Sequence, residues 1–142
     1  MRSLLDVNVM IALVDPVHVH SERAHEWWQA NRSNGWASCP ITQNGFIRIL
    51  SQPSYPGARS TSDAMRLLEL FIAQGNHAFW GDDISLLDHE YFRRRHILGP
   101  KQLTDIYVLA VAVKNDGLLA TFDRAIPRAA VVGAEARNLV VI

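Results

Sequence analysis

The stretch "LTDIYVLAVAVKNDGLLATFD", residues 103–123, sets an acidic residue near each end of a unit otherwise committed to burial. Asp105 opens an apolar run, and Asp123 follows the strand-like "LLAT". The run reads as a buried helix that Asp105 begins, with Thr104 as its cap and Asn115–Gly117 as its end. Residues 104–115 as a helix span about 17 Å at about 1.5 Å per residue. Residues 118–122 as a strand return about 17 Å at about 3.3 Å each. The lengths match, so the two carboxylates are predicted to meet at one edge of a sheet.

The rest of the chain supplies that sheet. "SLLDV" near the N-terminus, "GWASCP", "HAFW", "LLAT" and the C-terminal "LVVI" read as short strands. Between them lie predicted helices: "VNVMIALVD" stopped by Pro16, Ser21–Asn31, "ITQNGFIRILSQ" ending near Pro53, Ser60–Gln74 stopped by Gly75, and Ile84–Arg95. Ser60 and Asp63 have the spacing of a capping box. "SYPGARST" is a Pro- and Gly-rich loop. Alternating strands and helices predict an α/β fold, a three-layer α/β/α sandwich on a central, mainly parallel sheet. Asp6 then ends the first strand at the carboxyl edge, where open α/β sheets bind ligands.

Composition limits the function classes. The 142 residues fit a single domain, 1–142, and carry no formal net charge. Any nucleic-acid contact must therefore be local. Cys39 is the only cysteine, which excludes an internal disulfide and a cysteine-based zinc cluster and suits a reducing cytoplasm. Asp6, Asn8 and Asp15-Pro16 interrupt the N-terminal apolar stretch, so no signal peptide is expected. No apolar run approaches the roughly 18 residues of a membrane span.

Asp6, Asp105 and Asp123 at one edge repel one another, and a cation is the natural remedy. An oxygen-only cluster suits Mg²⁺ or Mn²⁺, and the chemistry is then water attacking a phosphodiester. Each acid also has a bland role open to it. Asp105 in a first helical turn favours the macrodipole, Asp123 suits a cap of the turn "DRAIP", and Asp6 suits a loop. Their predicted convergence, with Asn8 and Thr121 beside them, favours the site.

At this point "LLDVNVMIAL", "SCPITQNGFIRIL", "DDISLLD" and "TDIYVLAVAVKNDGLLATFDRAI" together resemble a PIN domain, specifically the VapC-type toxins of bacterial toxin–antitoxin pairs. The resemblance runs along nearly the whole chain. It implies a small Mg²⁺- or Mn²⁺-dependent endoribonuclease that cleaves RNA, is inhibited by a VapB-type antitoxin, and forms a homodimer. By position, Asp6, Asp105 and Asp123 match the family's acidic site. The family also carries a Glu on the helix after the second strand. That position falls on Gly45 when counted from Pro40, or nearer Gln43; Gln43 and Asn44 are neutral, so no carboxylate is present.

Other signals are weaker. His18, His20 and His25 in "HVHSERAHEWW" read as polar surface where a helix begins rather than as zinc ligands. Trp27 and Trp28 cannot share one helix face, so one is expected to pack inward. Arg93, Arg94 and Arg95 form the one basic cluster and, with Arg48 and Arg124, are candidates for RNA phosphate contact. The 63–74 helix carries apolar residues suited to a dimer mate or antitoxin. Rival readings are a catalytically inert PIN-like binding module and a non-hydrolytic nucleotide-binding α/β protein. No glycine-rich phosphate loop supports the latter.

Overall fold

Five short strands pair entirely in parallel: β1 (Ser3–Leu5), β2 (Trp36–Ser38), β3 (His77–Phe79), β4 (Leu118–Thr121) and β5 (Leu139–Val141). Their order is β3-β2-β1-β4-β5 in a computed structural model that describes all 142 residues. The helices are α1 (Val7–Val14), α2 (Ser21–Asn31), α3 (Pro40–Ser51), α4 (Thr61–Ala73) and α5 (Leu103–Lys114). The expected sheet was mainly parallel; the observed one is wholly so.

Strand side chains alternate between two cores, as a period of two requires. Leu4, Ala37 and Leu119 face the core covered by α5, with Ile106, Leu109 and Ala110. Leu5, Trp36 and Ala120 face the other core, covered by α1, α3 and α4 through Met10, Phe46 and Leu68. The sheet is thus clad on both faces, the three-layer arrangement. α1 ends at Asp15 before Pro16, and the Ser60 side chain accepts from the Asp63 backbone N–H to start α4. No helix is long and apolar enough to cross a membrane.

The topology creates one special place. From β1 the chain winds outward through β2 to β3, then returns to lay β4 against the other side of β1. The β1–β4 junction is the topological switch point, where helices before and after diverge and leave a crevice.

Three expectations are corrected. Residues 84–95 are not a helix; they form turns that end in a 3₁₀ turn at Arg94–His96. Ser85 Oγ accepts from Leu87 N–H and Asp88 Oδ1 from Glu90 N–H, local bonds that compete with a helix. Phe92 is instead buried and bridges Val131 in antiparallel fashion. Secondly, Thr104 does not cap α5. A 3₁₀ turn at Pro100–Gln102 runs directly into the helix, which begins at Leu103 with no side-chain cap. Thirdly, both Trp27 and Trp28 are half-buried against the α1–α4 core, with Trp28 packed on Trp36 and Phe71.

Candidate active site

Asp6 leaves β1 with extended backbone and caps α1, its Oδ1 accepting from Val7 N–H at 2.7 Å. Its other oxygen accepts from the Thr121 hydroxyl at 2.6 Å. Thr121 is fully buried at the end of β4, and its Oγ1 also accepts from Asp123 N–H at 3.0 Å. One hydroxyl therefore ties the ends of the two central strands together. Asp123 Oδ1 accepts from Ala125 N–H at 2.7 Å, which holds the "DRA" turn as a cap would.

Asp105 projects from the first turn of α5 into the same place. Its carboxyl is pushed up to about 6, first by burial, then by the charges of Asp6 and Asp123, with a hydrogen bond to Asp123 favouring the protonated form. Burial also raises Asp6, opposed by the bonds from Thr121 and Val7 and assisted by the charge of Asp123. Burial, and then mutual proximity, thus favour the protonated forms of Asp6 and Asp105, and a nearby cation would oppose both effects.

A cleft of about 420 Å³ opens beside Asp6 and Asp105, lined also by Asn8, Asn44, Arg48 and Thr104; Asp123 is not among its lining residues. Asn8, Asn44 and Arg48 are exposed there, and Arg124 is exposed next to Asp123. Gln43 is not part of the cleft lining: its Nε2 donates to Ser38 Oγ at 3.0 Å, which anchors α3 to β2. Gly45 lines the cleft with backbone only; a Cβ there would lie 2.7 Å from Val7 Cγ2. Arg93, Arg94 and Arg95 do not line it, and Arg93 spends its guanidinium on the carbonyls of Ala129 and Val131. Thr104, read from sequence as a helix cap, belongs to the cleft instead. The positioning role of Thr121 was not readable from sequence, because its hydroxyl direction depends on the β1–β4 register.

The donor set is all oxygen, anionic and partly desolvated, which fits a hard divalent cation. No group of three or more His, Cys, Asp or Glu side chains is placed to hold a metal ion by itself. An ion here would complete its shell with water or substrate oxygens, as Mg²⁺ habitually does.

Comparison with known proteins agrees with this reading of the fold. The PIN domain profile matches residues 3–132. Ribonuclease VapC44 of Mycobacterium tuberculosis is 48% identical over 139 residues, 98% of each chain. Ribonuclease VapC38 of the same organism is 41% identical over 85% of this chain and 84% of its own. A solved structure of VapBC2 from Rickettsia felis, bound to a DNA fragment from its promoter, shares the fold. Its TM-score is 0.61 at 12% identity, over 100% of this chain and 98% of that one. By profile and by near full-length identity, this chain belongs to the PIN-domain family of VapC ribonucleases.

Proposed function

We propose that this protein is a divalent-metal-dependent endoribonuclease toxin acting as one domain. The observation that carries the reading is the meeting of Asp6, Asp105 and Asp123, from three different elements, at the switch point of the sheet. Burial first, and neighbouring negative charge second, favour the protonated forms of Asp6 and Asp105, and a cation would relieve this. Mg²⁺ or Mn²⁺, when bound there, would supply charge neutralisation at the phosphodiester and a more acidic water.

The chain's own residues do the positioning. Asp6, Asp105 and Asp123 would hold the ion directly or through water, and Thr121 fixes the orientation of the Asp6 carboxylate. Asn8 and Asn44 offer neutral oxygens at the cleft rim. Arg48 and Arg124 face the solvent beside the acids, suited to phosphate oxygens of an RNA strand. Arg94 and Arg95 supply more distant backbone contacts.

The relatives' names point to a VapB-type antitoxin as partner. Exposed Met65 and Leu70 on α4 offer apolar surface for that antitoxin or for a second copy of the chain. Incubation of the purified chain with single-stranded RNA and Mn²⁺ tests the function. Cleavage that stops with a chelator, and in a folded Asp105→Asn protein, is expected. Metal-independent cleavage, or full activity in Asp105→Asn, overturns the reading.

A further inference from the structure

One cluster on the molecule has no part in the site so far. It gathers around Phe122, the residue between Thr121 and Asp123. The Phe122 ring turns toward the α1–α4 side of the sheet and stays half-buried at its rim. His18 and His20, from the loop joining α1 to α2, pack on it. The His20 ring centroid lies 4.7 Å away, and the His18 ring stacks at 6.3 Å with an interplanar angle of 20°. The His18 Nδ1 accepts from His20 N–H at 3.0 Å, which fixes the pair. Arg23, in the first turn of α2, sets its guanidinium 5.2 Å from the Phe122 centroid.

Arg23 is exposed, and the chain's two ion pairs, Lys114–Asp83 and Arg137–Glu135, do not involve it. A guanidinium stacked on a ring without an ion-pair partner keeps an outer face and N–H donors for something else. His25, the third histidine of the segment, points back to Ser21 O at 2.8 Å and takes no part.

We infer that Arg23, His18, His20 and Phe122 form a stacking subsite for a nucleotide of single-stranded RNA beside the scissile phosphate. This deepens the ribonuclease reading and rests on it. A strand that brings a phosphate to Asp6, Asp105 and Asp123 must lay its neighbouring nucleotides along the carboxyl edge. Asn44 and Arg48 border the cleft, and Phe122, in the chain next to Asp123, continues the edge. Unstacked RNA bases are taken up on aromatic rings and on arginine planes, and the cluster presents both beside a charge that suits the backbone.

The test uses the full chain carrying Asp105→Asn, so that RNA binds without cleavage. The probe is a labelled single-stranded RNA of mixed sequence, followed by anisotropy, with 2-aminopurine placed along it to report stacking. Arg23→Gln and Phe122→Leu are each expected to weaken binding about tenfold and to restore 2-aminopurine emission. Arg32→Gln removes the same charge at the other end of α2 and is expected to change affinity by less than about twofold. In the cleaving protein the loss in the Arg23 and Phe122 variants falls on KM more than on kcat, while Mn²⁺ binding is retained. Parent affinity in both variants overturns the subsite, as does an equal loss in Arg32→Gln. A parent chain that cleaves RNA while the variants keep its KM overturns the subsite alone; a parent that neither binds nor cleaves RNA overturns the ribonuclease reading with it.

Discussion

The Thr121 hydroxyl donates to the Asp6 carboxylate across 2.6 Å, although 115 positions separate them in the chain. The same oxygen accepts from Asp123 N–H, so it sets the spacing of two site acids at once. Thr121→Val keeps the shape and removes both interactions, leaving the Asp123 N–H without its partner. We expect a stability loss of about 1–2 kcal/mol in denaturant melts. Mn²⁺ affinity should fall about tenfold or more, as for other groups that orient a metal ligand. Thr121→Ser should recover most of both. Unchanged Mn²⁺ titrations in Thr121→Val would show that the hydroxyl serves the fold alone.

The acids make stability depend on pH in a direction that can be worked out. Asp105 binds its proton more tightly in the folded chain, at about 6, than in the unfolded chain near 4. Its contribution is therefore fully present below about pH 4 and lost as pH rises through about 6. Asp6 acts in the same direction. Asn cannot ionise, so Asp105→Asn should match the metal-free parent at pH 4 and exceed it at pH 7.5. The half-exposed carboxylate is screened by solvent, which limits the expected gain to about 1 kcal/mol. Mn²⁺ should raise the parent's Tm more at pH 7.5 than at pH 5. A variant less stable than the parent at pH 7.5, or a metal effect independent of pH, would contradict the charge crowding inferred at the site.

The convergence of Asp6, Asp105 and Asp123 was legible in sequence because it follows from lengths. A helix of matched rise after Asp105 and a strand before Asp123 can close only at one sheet edge. The 84–95 segment shows where such reasoning stops. Ile84, Leu87, Asp88 and Tyr91 have helical spacing, yet Leu87 is 74% exposed while Phe92 is buried. Side-chain bonds from Ser85 and Asp88 to nearby N–H groups chose turns, and burial of Phe92 against Val131 decided the path. Periodicity cannot weigh those local bonds against a helix. The cluster on Phe122 was equally hidden, because it joins a loop to a strand end about 100 positions away in a contact that no local pattern encodes.

The rotation of α3 decides which substitution can supply the carboxylate missing from that helix. Successive helical residues point about 100° apart, so Gln43, Asn44 and Gly45 look in three directions. Gln43 is committed to Ser38, and Gly45 is buried against Val7 with no room for a Cβ. Asn44 alone presents an exposed side chain to the cleft shared by Asp6 and Asp105. Asn44→Glu should therefore add a ligand and tighten Mn²⁺ binding to the RNA-free chain about tenfold, since affinity follows ligand charge. Without metal the same change should lower stability at neutral pH by crowding a further charge against Asp105. Gly45→Glu should cost about 1–3 kcal/mol or more by overpacking against Val7, with no gain in metal affinity. Gln43→Glu should loosen α3 from β2 and leave Mn²⁺ binding as it was. Calorimetric titrations with Mn²⁺ and thermal melts of the three variants decide the matter. Tighter binding in Gly45→Glu or Gln43→Glu than in Asn44→Glu would mean that α3 presents a different face to the acids than the one assigned.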